Sequence, residues 1–180
     1  MKVTERQVAQ TLDRRYNVEA GNGPRYVGAA QVRSHAGFDA VRTCDYVALD
    51  LWPSKGLALH GHEIKVSRGD WLRELKEPEK SAEFMGHVDY WWLVCPAGVL
   101  QAGELPRGWG HIAIEEGRHG LTSRIATQAP RLHPVERDYS RFATGRPIAR
   151  DVSRSFMAAF LRAATRQARE NERAMLRVLR

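Results

Sequence analysis

The sequence predicts an α/β fold, a central β-sheet flanked by helices with a basic helix added at the C-terminus. Three observations predict it. Runs of strand length, rich in β-branched and aromatic residues, occur at Tyr26 to Arg33, Cys44 to Trp52, Leu57 to Val66 and Val88 to Cys95. Segments with apolar residues at helical spacing alternate with them. The 180 residues are 43% hydrophobic and 27% charged, enough apolar material for one domain with a real core.

Thr4 to Tyr16 reads as the first helix. Thr4 and Gln7 form a capping box, Val8 and Leu12 mark the buried stripe, and Glu5 sits where the helix dipole favours an acid. After the Gly21-Asn22-Gly23-Pro24 loop, Tyr26 to Arg33 is the first strand, and Ser34 to Asp39 is a polar connection with His35 exposed.

Thr43 to Lys65 reads as a β-hairpin turning at Pro53-Ser54-Lys55-Gly56. Its second arm carries Glu63 and Lys65 on one face and Ile64 on the other, because a strand repeats every two residues. Charged groups on a largely apolar strand are costly unless paired or put to use. The first arm supplies two candidate acids. A loop of three or five residues sets Asp45 opposite Lys65 and diagonal to Glu63. A loop of two or four residues puts Asp50 on the Glu63 face but opposite Leu59, roughly 13 Å from Glu63 at ~3.4 Å per residue. Asp45 is therefore the better partner. Two carboxylates and a lysine at a sheet edge suit Mg²⁺, which takes one or two carboxylates, keeps several waters and lets a phosphate complete its shell. The plainer reading is a cross-strand Asp45–Lys65 salt bridge with Glu63 as a satisfied neighbour. His60 and His62 share the opposite face, either as a metal pair or as satisfied or exposed histidines.

Asp45 followed by Glu63-Ile64-Lys65 resembles the D…(D/E)xK signature of the PD-(D/E)xK nuclease superfamily, and LWPSKGLALHGHEIKVSRGDWLRELKEP resembles small phage and prophage members. The likeness covers roughly residues 25 to 110; Cys44 stands where the family often has proline. The resemblance implies a restriction-endonuclease-like core with a mixed sheet. It also implies Mg²⁺- or Mn²⁺-dependent hydrolysis of DNA phosphodiester bonds in phage or bacterial DNA processing, repair or recombination. Asp45, Glu63 and Lys65 would be catalytic, and Asp45, Glu63 and the Ile64 carbonyl would hold the metal. The superfamily often adds a metal-supporting acid from its first helix, a role for which Glu5 and Glu19 are candidates. A non-catalytic nucleic-acid-binding domain of the same fold is the alternative.

Ser67 and Asp70 form a capping pair for the next helix, with Trp71, Leu72 and Leu75 at helical spacing. That helix begins beside the motif, so its N-terminus is expected to attract phosphate. Arg68, Arg73, Lys76 and Lys80 are the candidate nucleic-acid contacts, Lys80 because the resembled group carries a lysine there. Pro78-Glu79-Lys80 opens a further helical segment, with Phe84 and Met85 toward the core. In Val88 to Cys95, Trp91 and Trp92 read as packing residues rather than base-stacking platforms.

Gly108 to Glu116 and Leu121 to Thr127 form a second hairpin around residues 117–120. The expected organisation is a nuclease-like core over 1–130, a linker or arm over 131–150, and an Arg-rich helix over 151–180 capped by Asp151. Phe156, Phe160, Leu161 and Ala164 make its apolar stripe, and Arg162, Arg166, Arg169, Arg173, Arg177 and Arg180 line one face.

The net charge of +7 fits a polyanionic partner: DNA, with RNA and a homodimer left open. Cys44 and Cys95 read as buried hydrophobes, and no zinc spacing occurs. The N-terminus lacks a signal-like apolar region and no stretch is long enough to span a membrane, so a cytoplasmic setting in a bacterial or phage-infected cell is expected.

Overall fold

The computed structural model describes residues 3–19, 21, 23–36, 42–77, 79–134, 137–138, 146–147 and 151–178. The elements in chain order are α1 (Glu5–Tyr16), β1 (Tyr26–Arg33), β2 (Thr43–Asp50), β3 (Leu59–Ile64), α2 (Arg68–Glu74), α3 (Glu79–Met85), β4 (Tyr90–Pro96), β5 (Trp109–Gly117), β6 (Gly120–Thr127), β7 (Arg137–Asp138), β8 (Arg146–Pro147) and α4 (Arg154–Val178). Six strands form one mixed sheet in the order β1-β2-β3-β4-β5-β6. β1, β2 and β3 are an antiparallel meander, β4 and β5 run parallel to β3, and β6 returns antiparallel. A parallel neighbour needs a crossover, and α2 with α3 supplies it between β3 and β4.

The core has two layers because side chains alternate along each strand. On one face Val47, Leu59, Trp91 and Leu93 pack against Trp71 of α2, Phe84 of α3 and Phe156 of α4. On the other, Tyr46, Ala48, Ile64 and Trp92 pack against Val8, Leu12 and Tyr16 of α1. Trp91 and Trp92 are both buried, and so are the two free cysteines. The capping box of α1 is formed, with the Gln7 amide donating to Thr4 Oγ1 and the Thr4 amide to Gln7 Oε1.

The turn between β2 and β3 is longer than expected. Pro53–Lys55 is a short 3-10 helix, and Gly56 and Leu57 follow with φ of 74° and 49°. Pro53 suits the first position of a helical turn, since it lacks an N–H to donate. The ladder consequently pairs Leu49 with Leu59 and Tyr46 with His62, and the Asp50 amide bonds the Ala58 carbonyl. Asp45 is therefore set opposite Glu63, not opposite Lys65 as a three- or five-residue loop would have it.

The C-terminal helix is part of the core and not a separate appendage. Phe156, Ala159, Phe160 and Ala163 are buried, while Leu161, expected in the stripe, is 56% exposed. Ser153 rather than Asp151 caps the helix, its Oγ accepting from the Phe156 amide at 3.3 Å. α4 lies along β1, the edge of the sheet. Gln167 Oε1 accepts from the Ala30 amide and Arg166 donates to the Ala30 carbonyl. These side chains satisfy backbone groups that an open edge would offer to another strand. Within the expected 131–150 arm, β7 and β8 form a short antiparallel ladder; residues 135–136, 139–145 and 148–150 lie outside the described set, as does Arg180.

Candidate active site

One step past the Tyr46–His62 pair, β2 and β3 part. The Lys65 amide turns to the Val94 carbonyl of β4 at 3.0 Å, and the Ile64 amide is left without a backbone acceptor on β2. The Asp45 side chain takes that place: its Oδ2 accepts from the Ile64 amide at 2.8 Å. Its other oxygen accepts from Gln31 Nε2 at 3.3 Å. Gln31 has φ of +54°, a left-handed conformation uncommon for a residue with a side chain, so β1 is distorted beside Asp45. Asp45 is thus held from two strands at the point where the sheet opens.

Glu63 and Lys65 project to the same side as Asp45. Lys65 Nζ bonds Glu63 Oε1 at 2.5 Å and Glu74 Oε2 at 3.1 Å. All three side chains are at least 85% buried. Glu74 reaches the site from α2, three residues after the buried Trp71 and so on the same side of the helix. Among the described residues no group of three or more His, Cys, Asp or Glu is placed as a ready ligand set.

The electrostatics follow from three carboxylates sharing one ammonium in a desolvated corner. Burial raises Asp45, partly offset by the Ile64 amide and by Lys65, with Glu5 adding repulsion. Burial, then Asp45, then Glu74 push Glu63 up to about 7 against the pull of Lys65. Burial lowers Lys65, but Glu63 and Glu74 outweigh it and hold the ammonium above its ordinary value. The excess negative charge and all-oxygen donors fit a hard divalent cation bound by one or two carboxylates. Glu5 feels Asp45 from the first turn of α1, whereas Glu19 lies in the loop after α1, bridged to Pro24.

Asp50 is elsewhere and structural. It is buried, paired to Arg25 at 2.9 Å, and accepts from the Trp52 amide at 3.0 Å.

The expected phosphate contacts are mostly neutralised within the protein. The Arg68 guanidinium grips Glu104 through two nitrogens and donates to the Val99 carbonyl at 2.9 Å, which pins the loop joining β4 to β5. Arg73 pairs with Asp70, and Lys80 pairs with Glu77 at 2.5 Å. Lys76 is exposed and has no side-chain partner among the described residues. The N-terminus of α2 is complemented by its own Asp70, whose amide donates to Ser67 Oγ while its carboxylate accepts from that hydroxyl. Acids three residues along the chain, or across a loop, thus compensate these cations before any ligand arrives.

His60 and His62 face α1 and are satisfied rather than metal-binding. A carbonyl has no proton, so His62 Nδ1 donates to Tyr46 O at 3.1 Å, and its Nε2 accepts from the Tyr16 hydroxyl at 2.8 Å. His60 Nδ1 accepts from Trp92 Nε1 and its ring stacks on Tyr90. Burial lowers His62 to about 3 and His60 to about 4, so both are neutral.

Two contributors escape a reading of the motif alone. Glu74 had a signal, an acid on the Trp71 side of a helix just after the ExK strand. Gln31 had none, because its approach to Asp45 depends on the local distortion of β1. Comparison of the chain with known protein families, with curated proteins and with solved structures gives no match.

Proposed function

We propose that this chain is a Mg²⁺- or Mn²⁺-dependent nuclease that hydrolyses DNA phosphodiester bonds, a member of the PD-(D/E)xK superfamily with a restriction-endonuclease-like core. The observation that carries the reading is the convergence of Asp45 and Glu63 across the parting strands, with Lys65 beside them and more negative charge than it balances. Asp45, Glu63 and the Ile64 carbonyl would hold the ion. When bound, the ion supplies a water of lowered pKa and neutralises phosphoryl charge. Asp45 is kept in position by the Ile64 amide and Gln31. Lys65, held protonated by Glu63 and Glu74, is suited to orienting a water or offsetting charge on the phosphoryl oxygens rather than to removing a proton. Phage or bacterial DNA processing, repair or recombination is the setting this activity would serve.

The closure of Lys65 on Glu63 and Glu74 favours a second reading, a non-catalytic nucleic-acid-binding domain in which these groups form a structural ion network. The experiment that separates the two is cleavage of duplex, single-stranded and branched DNA with Mg²⁺ or Mn²⁺ and with a chelator. Metal-dependent cutting that disappears in Asp45→Asn is expected. No cutting of any substrate with either metal would leave the binding domain.

A further inference from the structure

We propose that a nucleic-acid strand lies in the groove between β1 and α4, held through its phosphates by Arg162, Arg166, Arg169 and Arg173 and led past Gln31 to Asp45. The proposal rests on the nuclease reading for its end point, the Asp45 site, and on the groove itself for its path.

A cavity of about 750 Å³ lies where α4 runs along the edge of β1, lined by Gln31, Arg33 and Thr43 on one side and Arg162 and Arg166 on the other. A second cavity, of about 490 Å³, continues along the same helix past Arg162, Arg166, Arg169 and Arg173. The two adjoin at Arg162, Arg166 and Glu170. Gln31 lines the first and also donates to Asp45 at 3.3 Å, so the groove opens beside the acids.

Charge separates this face from the cations that follow β3. Arg68, Arg73 and Lys80 are each paired to a carboxylate that a phosphate would have to displace, which leaves Lys76 as the one cation of that group without a side-chain partner among the described residues. Among the described residues, Arg162, Arg169 and Arg173 have no such partner, and Arg166 meets only the neutral Ala30 carbonyl. Glu170 is the one acid among the residues lining the two cavities. Arg162 to Arg173 spans about 16 Å at ~1.5 Å per residue, the axial length of roughly five duplex steps at ~3.4 Å of rise. Neither cavity is lined by Phe, Tyr or Trp, and the one ring there, His35, packs edge-on against His87, so the groove offers cations rather than a row of stacking platforms. Contacts of this kind position a backbone without reading its sequence.

The test is binding of a fluorescein-labelled single-stranded oligonucleotide and its duplex to the full chain, by anisotropy across a salt series with chelator present. For Arg162→Ala/Arg169→Ala/Arg173→Ala, the slope of log K against log salt on duplex should flatten by about 2 to 3, at ~0.9 per lost contact. Affinity at low salt should fall at least tenfold with the melting temperature unchanged. Replacing the same three arginines by lysine should restore most of the slope, and Arg68→Ala/Lys80→Ala should leave it unchanged. Should the alanine variant melt early, Arg169→Glu alone repeats the measurement, with a flattening of about 1 or more expected.

An unchanged slope in these α4 variants overturns the proposal, as does failure of the wild type to bind either probe. A changed oligomeric state with intact DNA affinity overturns it too, by making α4 an interface between chains. Wild type that binds through α4 but never cuts overturns the nuclease reading and leaves the groove. Wild type that cuts, with binding indifferent to α4, does the reverse.

Discussion

His60 and His62 face α1, while Glu63 and Lys65, on the same strand, face α2. His62 has a donor or acceptor for each ring nitrogen and stays neutral, so its burial is compensated within the fold. Across the strand, Glu63 and Glu74 pair with Lys65, Asp45 feels it at longer range, and the three acids remain under-compensated. A buried polar network with its charges balanced rigidifies a core, whereas one with excess charge of a single sign has shifted protonation equilibria. The polar groups of β3 are therefore not alike: those toward α1 are neutral, and those toward α2 carry more negative charge than one lysine balances.

The largest effect expected from breaking this contrast is on activity. Asp45→Asn or Glu63→Gln should reduce metal-dependent cleavage by about a thousandfold or more, since several kcal/mol of charge stabilisation would be lost. Thermal melting should show the same stability or a higher one, because burial and repulsion outweigh what each acid gains from Lys65, which keeps Glu74 as a partner. A large drop in melting temperature would instead make the pair structural.

Lys65→Ala acts on both counts. It leaves Glu63 and Glu74 without their counter-charge, and removal of one partner of a buried pair costs about 3 kcal/mol. Denaturant unfolding measures that loss, and cleavage should vanish with DNA binding largely kept.

On the α1 face the contrast appears in pH. Imidazoles in the unfolded chain titrate near 6.5, whereas His60 and His62 are depressed to about 4 and about 3 in the fold. Between those values the unfolded state binds protons that the folded state refuses. This stabilising contribution is therefore complete above about pH 6.5 and is lost as pH falls toward 3, by several kcal/mol in total. Denaturant midpoints from pH 7 to pH 4 should decline accordingly. His62→Phe should flatten that decline while costing about 1–3 kcal/mol at neutral pH, because the Tyr16 hydroxyl and Tyr46 carbonyl lose their partner.

The smallest effect belongs to Asp50→Asn. It weakens the pair with Arg25 and should shift the melting temperature by a few degrees at most while leaving cleavage intact. Equal loss of cleavage in Asp50→Asn and Asp45→Asn would remove the distinction between the two acids.

Periodicity carried much of this architecture in the chain itself. The period-2 pattern puts Glu63 and Lys65 on one face and His60 and His62 on the other, whatever the fold around them. An odd turn keeps Asp45 on the Glu63 face, and the observed turn of residues 51–57 is odd although longer than expected. Capping at Thr4 and Ser67 and the second hairpin likewise depend on residues only a few positions apart.

Through-space pairing is what local pattern could not reach. Which cations stay uncompensated depends on acids such as Glu104, far along the chain from Arg68 and brought to it by the β4–β5 loop. The approach of Glu74 to Lys65, the distortion that turns Gln31 toward Asp45, and the docking of α4 on β1 also depend on packing between elements distant in sequence. Secondary structure and facing follow from near-neighbour sterics, so they are written locally. Charge balance is a sum over everything within a few ångströms, and only the folded chain determines what those neighbours are.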